Sequence, residues 1–458
     1  MNQSRLGRGA VAVGLFASGC TIANDVNDDP EGNAAANMYL DGPSERSLSL
    51  WAAPGDNLLA ALAEVEANDA DVVLPVDNRV LGSFFGELGA YFSATTKYTP
   101  FSEALKRQTM DCESSRLPDA IETLCAQIAE PRRPSDESTG GAVQLVLVNE
   151  LQHVAYQRSL VRQLLQCSWD AGFRYLGIEA LEEDDAALEA RGFVSKTASG
   201  ALMREPQMAR LVEDGLALGY DLVSFDVAGR CTDCRLIEAI EQYSAEQATN
   251  LIAKTFGVDP EAKVLVLTNA RQAYKRIWGP APYITSLGGH VWEQSGVEPF
   301  AIEQVAVDRP SPQFGASESP PSGMYGLVWD VDARCMGSYA QGSPTGMANV
   351  DGLVIHVPPQ DDADRWGWVH APADERRTLT ATCASCSAGE RLLLQAFAAG
   401  SDRSDRVPID QALCSVGQAC QLALPAAVYD VVVWNESAEV GVATADLQTN
   451  ANAAIDVP

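Results

Sequence analysis

The sequence predicts an α/β chain, a mainly parallel sheet covered by helices, with a helical N-terminal segment and a small C-terminal β-sandwich-like module. Three observations predict it. Near-continuous apolar runs of strand length, VQLVLV at 143–148, DLVSFDV at 221–227 and KVLVLTN at 263–269, suit strands buried on both faces. Stretches with apolar residues at spacings of three and four lie between them, joined by only a few residues, as right-handed β-α-β crossovers require. From about residue 375 helical spacing gives way to short strand-like runs stapled by cysteines.

Taken in order, residues 1–19 read as a signal peptide. Arg5 and Arg8 precede a short apolar run that ends in LFASGC, too short to span a bilayer permanently. Ala17-Ser18-Gly19-Cys20 resembles the lipobox of bacterial lipoproteins, which implies cleavage before Cys20, lipid on its thiol and an anchor in the cell membrane or an outer membrane. Residues 20–50 lack periodic apolar positions and form a flexible, lipidated tether. Residues 51–139 are mainly helical, through NLLAALAEVEAND and GSFFGELGAYF, and close on the linker EPRRPSDESTGG.

The α/β domain covers 140–372. Its first strand, 143–148, leads into a helix from Val154 to Trp169 closed by Gly172. FRYLGIEAL follows as a second strand and EPQMARLVEDGLALG as a helix ended by Gly219, then DLVSFDV, a long helix through EAIEQYSAEQATNLIAK, and KVLVLTN. PFAIEQVAV, YGLVWDVDA and GLVIHVP are later strands whose order the sequence leaves open. Residues 373–458 form the β module, with LLLQAFAA, QLALPAAVYDVVVWN and EVGVATADL as its strands.

The chain is strongly acidic, with 62 Asp and Glu against 32 Lys and Arg and a formal charge of -30. Such a field repels phosphates, which argues against nucleic acid and anionic lipid surfaces as partners. Of eleven cysteines, ten remain if Cys20 is acylated, an even number suited to an oxidising compartment. Their spacing suggests local pairs, Cys112 with Cys125, Cys231 with Cys234, Cys383 with Cys386 and Cys414 with Cys420, leaving Cys167 and Cys335. The two CxxC units carry no adjacent histidine pair, which disfavours zinc.

Ligands of open α/β sheets bind beyond the carboxyl ends of the strands. Here those positions are polar: Asn149, Glu150 and His153 after the first strand, Glu179 after the second, Asp226 after the third, and Thr268, Asn269 and Arg271 after the fourth. His153, one of four histidines, is the candidate general base, because imidazole titrates near neutrality. Glu150 or Glu179 would hold its tautomer, or a carboxylate pair would share a divalent cation with it. Each position also has a plainer reading: Asn149 as helix N-cap, Glu150 at the positive end of the helix dipole, Glu179 as a cap, Asp226 as a turn acceptor, Arg271 on the surface. No Gly-x-Ser-x-Gly elbow accompanies a strand-to-helix turn, which argues against a serine triad.

The segments LVLVNELQHVAYQRSLVRQLLQ, GFRYLGIEAL, EPQMARLVEDGLALGYDLVSFDV and DPEAKVLVLTNARQAYKRI together resemble the erythromycin esterase and ChaN-like superfamily over about 140–310. The resemblance maps Glu150, His153 and Glu179 onto the family's site, with Arg158 in the following helix. It implies a hydrolase-like site whose histidine activates water or, in the ChaN branch, a haem-binding lipoprotein. Asn149 stands where the family usually has glycine, and LTNAR lacks the histidine that relatives often carry, with His290 the nearest substitute. The functional expectation is therefore a membrane-anchored hydrolase using His153, Glu150 and Glu179, with Arg158, Asp226, Asn269 and Arg271 binding a small-molecule substrate. The alternatives are a ligand- or haem-binding lipoprotein without turnover, or a structural envelope component.

Overall fold

The computed structural model describes residues 119–130, 142–151, 154–227, 236–304, 324–328, 350–356, 377–416 and 420–457, apart from 180, 182–184, 276, 279–283, 384–385, 388–389 and 450–451. The tether, Cys20, His153 and most of the predicted N-terminal helical segment lie outside the described residues. No helix among the described residues is long and apolar enough to cross a membrane.

Helix α1 (Ala120–Ala129) opens the described chain, its first turn capped by the Asp119 carboxylate. Strand β1 (Leu145–Glu150) is buried along its whole length. Then come α2 (Ala155–Asp170), β2 (Tyr175–Ile178), the short α3 (Leu188–Arg191), a 3-10 turn (Ala201–Arg204) and α4 (Pro206–Leu218). Strand β3 (Asp221–Ser224), α5 (Leu236–Lys254) and β4 (Val264–Asn269) follow. A second 3-10 turn (Ala270–Ala273) and a two-residue hairpin, β5 (Ile277–Trp278) and β6 (Ile284–Thr285), lead to α6 (Leu287–Ser295). Strands β7 (Phe300–Glu303), β8 (Met324–Val328) and β9 (Gly352–His356) complete the sheet.

The sheet order is β3-β2-β4-β1-β7-β9-β8. Its first six strands run parallel and β8 closes one edge antiparallel, which settles the three strands that sequence could not order. Alternate residues of β1 face opposite cores, as the two-residue period of a strand dictates. Val146 and Val148 join α1, α2 and α4, whereas Leu145 and Leu147 join α5 and α6. Two glycines allow this layering. Gly219 ends α4 in the left-handed region at φ 98°, as its position in the sequence predicted. A Cβ on Gly288 would meet the Tyr274 carbonyl oxygen at 2.3 Å, so only glycine lets α6 press so closely beside β1.

The C-terminal module is a sandwich of two sheets. One contains β10 (Arg377–Cys383), β13 (Cys420–Leu424) and β16 (Asn452–Val457), ordered β13-β10-β16. The other contains β11 (Arg391–Ala398), β12 (Asp410–Ser415), β14 (Val428–Trp434) and β15 (Glu439–Asp446), ordered β12-β11-β14-β15. Leu379, Leu392, Leu394, Leu422, Val431 and Val433 meet between them. The module docks on the segment before α4 rather than adding an edge to the main sheet. Val407 N donates to Val194 O, Lys196 N to Asp405 O, and Arg406 pairs with Glu213 of α4 at 2.8 Å.

The Cys383–Cys386 and Cys414–Cys420 bridges form as expected. The Cys112–Cys125 expectation is corrected: Cys125 of α1 is bonded to Cys167 of α2. Sequence proximity favoured a local bridge, but the packing of α1 on α2 brings these two Cα atoms to 5.7 Å, within disulfide reach. Cys112, Cys231, Cys234 and Cys335 lie outside the described residues.

Candidate functional site

The helices following β1 and β2 cover one face of the sheet, while α6, following the neighbouring β4, covers the other. Where neighbouring strands send their helices to opposite faces, a crevice opens beyond their carboxyl ends. At this rim Glu150 of β1 stands level with Asn269 of β4, and Glu179 follows β2 on the other side of β4. The Glu150 and Glu179 backbones are thus two strand spacings, roughly 10 Å, apart. Asp226 lies just past β3, the next strand outward.

Glu179 is held across to β4 rather than within its own loop. Its Oε2 accepts hydrogen bonds from the Thr268 hydroxyl at 2.7 Å and from Asn269 N at 2.6 Å, so it is not the local cap of the plainer reading. Its Oε1 is 3.2 Å from the Tyr243 hydroxyl, which also reaches Asp226 Oδ1 at 2.5 Å. Gln247, one helical turn after Tyr243 on α5, donates to Asp226 Oδ1 at 3.1 Å. Burial, followed by the negative charge of Asp226, raises the Glu179 carboxyl above the usual carboxylate range despite the hydrogen bonds it accepts. Asp226 is exposed and also accepts from Val227 N, as a turn residue would.

Glu150 belongs to a buried triad. The Arg158 guanidinium donates from Nε to Glu150 Oε2 at 2.9 Å and from Nη1 to Glu205 Oε2 at 2.7 Å. Glu205 is in turn the N-cap of α4, accepting from Gln207 N and Met208 N, with Pro206 in the first helical turn. Arg158, expected to bind ligand, is 1% exposed: its guanidinium is enclosed by two carboxylates and fixes Glu150. Burial lowers the guanidinium's proton affinity, but Glu150 and Glu205 together outweigh it and hold Arg158 cationic. Burial is the largest effect on Glu150 as well, and it lifts that carboxyl although Arg158 pulls the other way.

Asn149 is not a helix cap, since α2 begins at Ala155 after Val154. Its side chain ties β1 to β7. Nδ2 donates to Glu303 Oε1 at 2.9 Å, and Oδ1 accepts from Gln304 N at 2.9 Å. Gln304 also takes a hydrogen bond at 2.7 Å from His356 Nε2 at the end of β9, and Gln157 of α2 donates to its carbonyl. His356 is enclosed beside Tyr156, and burial pushes its pKa down to about 3. It is therefore a neutral structural histidine supporting the floor of the rim.

Of the predicted residues, the structure brings together Glu150, Glu179, Asp226 and Asn269. Arg271 sits on the 3-10 turn that continues β4. His153 lies outside the described residues, between Leu151 and Val154. Sequence reasoning missed Tyr243, Gln247 and Glu205. The i,i+4 spacing of Tyr243 and Gln247 and the Glu-Pro helix start were the available signals. The described rim offers carboxylate and amide oxygens, with neither imidazole nor thiolate, and the Tyr243 hydroxyl is engaged by two carboxylates.

No protein-family model matches the chain, and no curated protein matches it. Among solved structures, one described as bacterial protein toxins is similar at 11% identity and a TM-score of 0.27, over 51% of this chain and 46% of its own. A second bacterial protein toxin structure gives 12%, 0.26, 47% and 43%. RRSP, a MARTX toxin effector domain from Vibrio vulnificus CMCP6, gives 12%, 0.27, 51% and 44%. The match spans less than half the length of each, and none of the three is described as an erythromycin esterase or ChaN-like protein.

Proposed function

We propose that this chain is a lipid-anchored envelope protein that hydrolyses an ester or related bond of a small molecule at the strand-end rim. The observation that carries the reading is the convergence of Glu150, Asn269, Glu179 and Asp226 on adjoining strand ends, where the helices diverge. His153, three residues beyond Glu150, takes a proton from water. The resulting hydroxide adds to the carbonyl carbon, and the imidazolium returns the proton to the departing alkoxide. Glu150 and Glu179 supply the negative field that favours the imidazolium, and Arg158 keeps Glu150 from moving.

The test is turnover of a panel of chromogenic esters by the full chain, its His153→Ala variant and its Glu179→Gln variant. Loss of turnover in both, with folding retained by circular dichroism, is the expected result. Unchanged turnover in His153→Ala removes the mechanism. A second reading, ligand capture without hydrolysis, is favoured by the engagement of Glu150 with Arg158 and by the missing histidine in LTNAR. It predicts calorimetric binding of these esters with no turnover by any form. The anchor is tested by growing cells on a radiolabelled fatty acid: label should enter the chain and be absent from Cys20→Ser.

A further inference from the structure

The Cys383–Cys386 bridge lies on the connection from β10 to β11, where the chain crosses from one sheet of the sandwich to the other. Three observations set it apart from the other two described bridges. It closes the shortest loop, a sequence separation of 3 against 6 for Cys414–Cys420 and 42 for Cys125–Cys167. The entropy that a cross-link removes from the unfolded chain grows with loop length, so this bridge adds least to the fold. Both of its cysteines are half-buried between the exposed residues Thr382 and Ser387, whereas Cys420 is 3% exposed within the sandwich core. Access of this kind governs which disulfide a thiolate attacks. Finally, hydrogen bonds already hold both ends of the connection. Strand β10 is paired with β16 as far as Cys383 opposite Val457, and the Thr382 hydroxyl donates to Ile455 O. After Cys386, Ser387 N donates to Glu390 Oε2 and Glu390 N to Ser387 O, while Glu390 accepts from Val416 N and Asn435 Nδ2. Opening the sulfur bond leaves all of these in place. Cys414–Cys420, by contrast, joins β12 of one sheet directly to β13 of the other.

We propose that Cys383–Cys386 is a thiol–disulfide exchange site whose reaction partner is a dithiol protein of the Cys-x-x-Cys type. One thiolate of the partner attacks one sulfur of the bridge, which breaks the bridge, forms a mixed disulfide and expels the other cysteine as a thiolate that takes a proton from water. The partner's second thiolate then attacks its own half of the mixed disulfide. That step closes a disulfide within the partner and releases the remaining cysteine, which is protonated in turn. Two electrons and two protons have then passed from the partner to this chain. A dithiol suits the site better than a monothiol, because Cys383 and Cys386 are so close that the expelled thiolate re-attacks the mixed disulfide at once. Only a second thiol on the same partner competes with that return.

The experiment equilibrates the full chain with graded ratios of reduced to oxidised dithiothreitol, quenches with acid, alkylates with N-ethylmaleimide and reads each cysteine peptide by mass spectrometry. Cys383 and Cys386 should be alkylated at a ratio roughly 40-fold below that for Cys125 and Cys167, as the three-halves power of loop length requires. Cys414 and Cys420 should open after them, and the circular dichroism should be unchanged when Cys383–Cys386 alone is open. Thioredoxin lacking its second active-site cysteine cannot resolve a mixed disulfide, so it should accumulate as a covalent adduct with the unaltered chain. The yield should fall at least about tenfold when Cys383→Ser and Cys386→Ser are combined. Joint opening of Cys383–Cys386 with Cys125–Cys167, loss of circular dichroism as Cys383–Cys386 opens, or an equal adduct yield from the double variant would each overturn the site. The first two readouts use the unaltered chain, so they decide the matter even where the double variant does not fold. The inference stands apart from the hydrolase reading, because His153→Ala should form the adduct as the unaltered chain does, whatever that variant does to turnover.

Discussion

Acidification should unlock the floor of the rim through His356, and the size of the effect follows from its burial. The ring is 2% exposed, its Nε2 bonds Gln304, and its pKa is pushed down to about 3 from an ordinary 6.5. As pH falls below 6.5 the unfolded chain takes up a proton that the folded one refuses, so the stability contributed by neutral His356 is present above 6.5 and is lost towards pH 3. Each pH unit in that window costs about 1.4 kcal/mol, or roughly 2.7 kcal/mol between pH 6.5 and 4.5. Urea unfolding of the full chain and of His356→Leu, from pH 7.5 to 4.5, isolates the effect, since all other titrating groups are shared. Leucine leaves the Gln304 oxygen without its donor, so the unaltered chain should be the more stable by a constant margin of about 1–3 kcal/mol above pH 6.5. Below that pH the margin should shrink by about 1.4 kcal/mol per unit and then reverse. Parallel stability curves down to pH 4.5 would refute the reasoning, because they would mean that the folded state accepts the proton as readily as the unfolded one.

Two further outcomes concern the supports of the site. Arg158→Met should destabilise the chain by about 3–5 kcal/mol in urea unfolding at pH 7, because it leaves Glu150 and Glu205 buried without their cation. The deficit should narrow at low pH as those carboxyls take up protons. Replacing Cys125 and Cys167 by serine should cost up to about 4 kcal/mol, the loop-closure value for their separation of 42 residues, measured as a lowered urea midpoint under oxidising conditions and a smaller difference in reductant.

The parallel core was legible because its strands announce themselves. The apolar runs at 143–148 and 263–269 and the helical spacing between strands fixed which residues would stand at strand ends, and four predicted rim residues do gather there. The contributions of α5 and α4 were harder to read for a reason of geometry. Tyr243 and Gln247 reach the rim from a helix on the second face of the sheet; their i,i+4 spacing puts them on one helix face, but nothing in EAIEQYSAEQATN says whether that face meets Glu179 or solvent. Arg158 shows the same limit from the other side: a cation near a strand end reads as a ligand clamp, and nothing local announces that Glu205, 47 residues later, closes on it. The pairing of β16 beside β10, across 74 positions at Thr378 and Asn452, has no local signal either. By contrast, β11 and β14 were readable because both carry near-continuous apolar runs.

The docking of the sandwich on α4 makes its fate inseparable from that of the rim. Helix α4 grips Arg406 through Glu213 and, at its other end, presents Glu205 to Arg158. A protease cut or premature stop before residue 377 would strip Val194 and Lys196 of their backbone partners and uncover Phe397's former neighbours. The shortened chain would lose part of the brace behind Glu150.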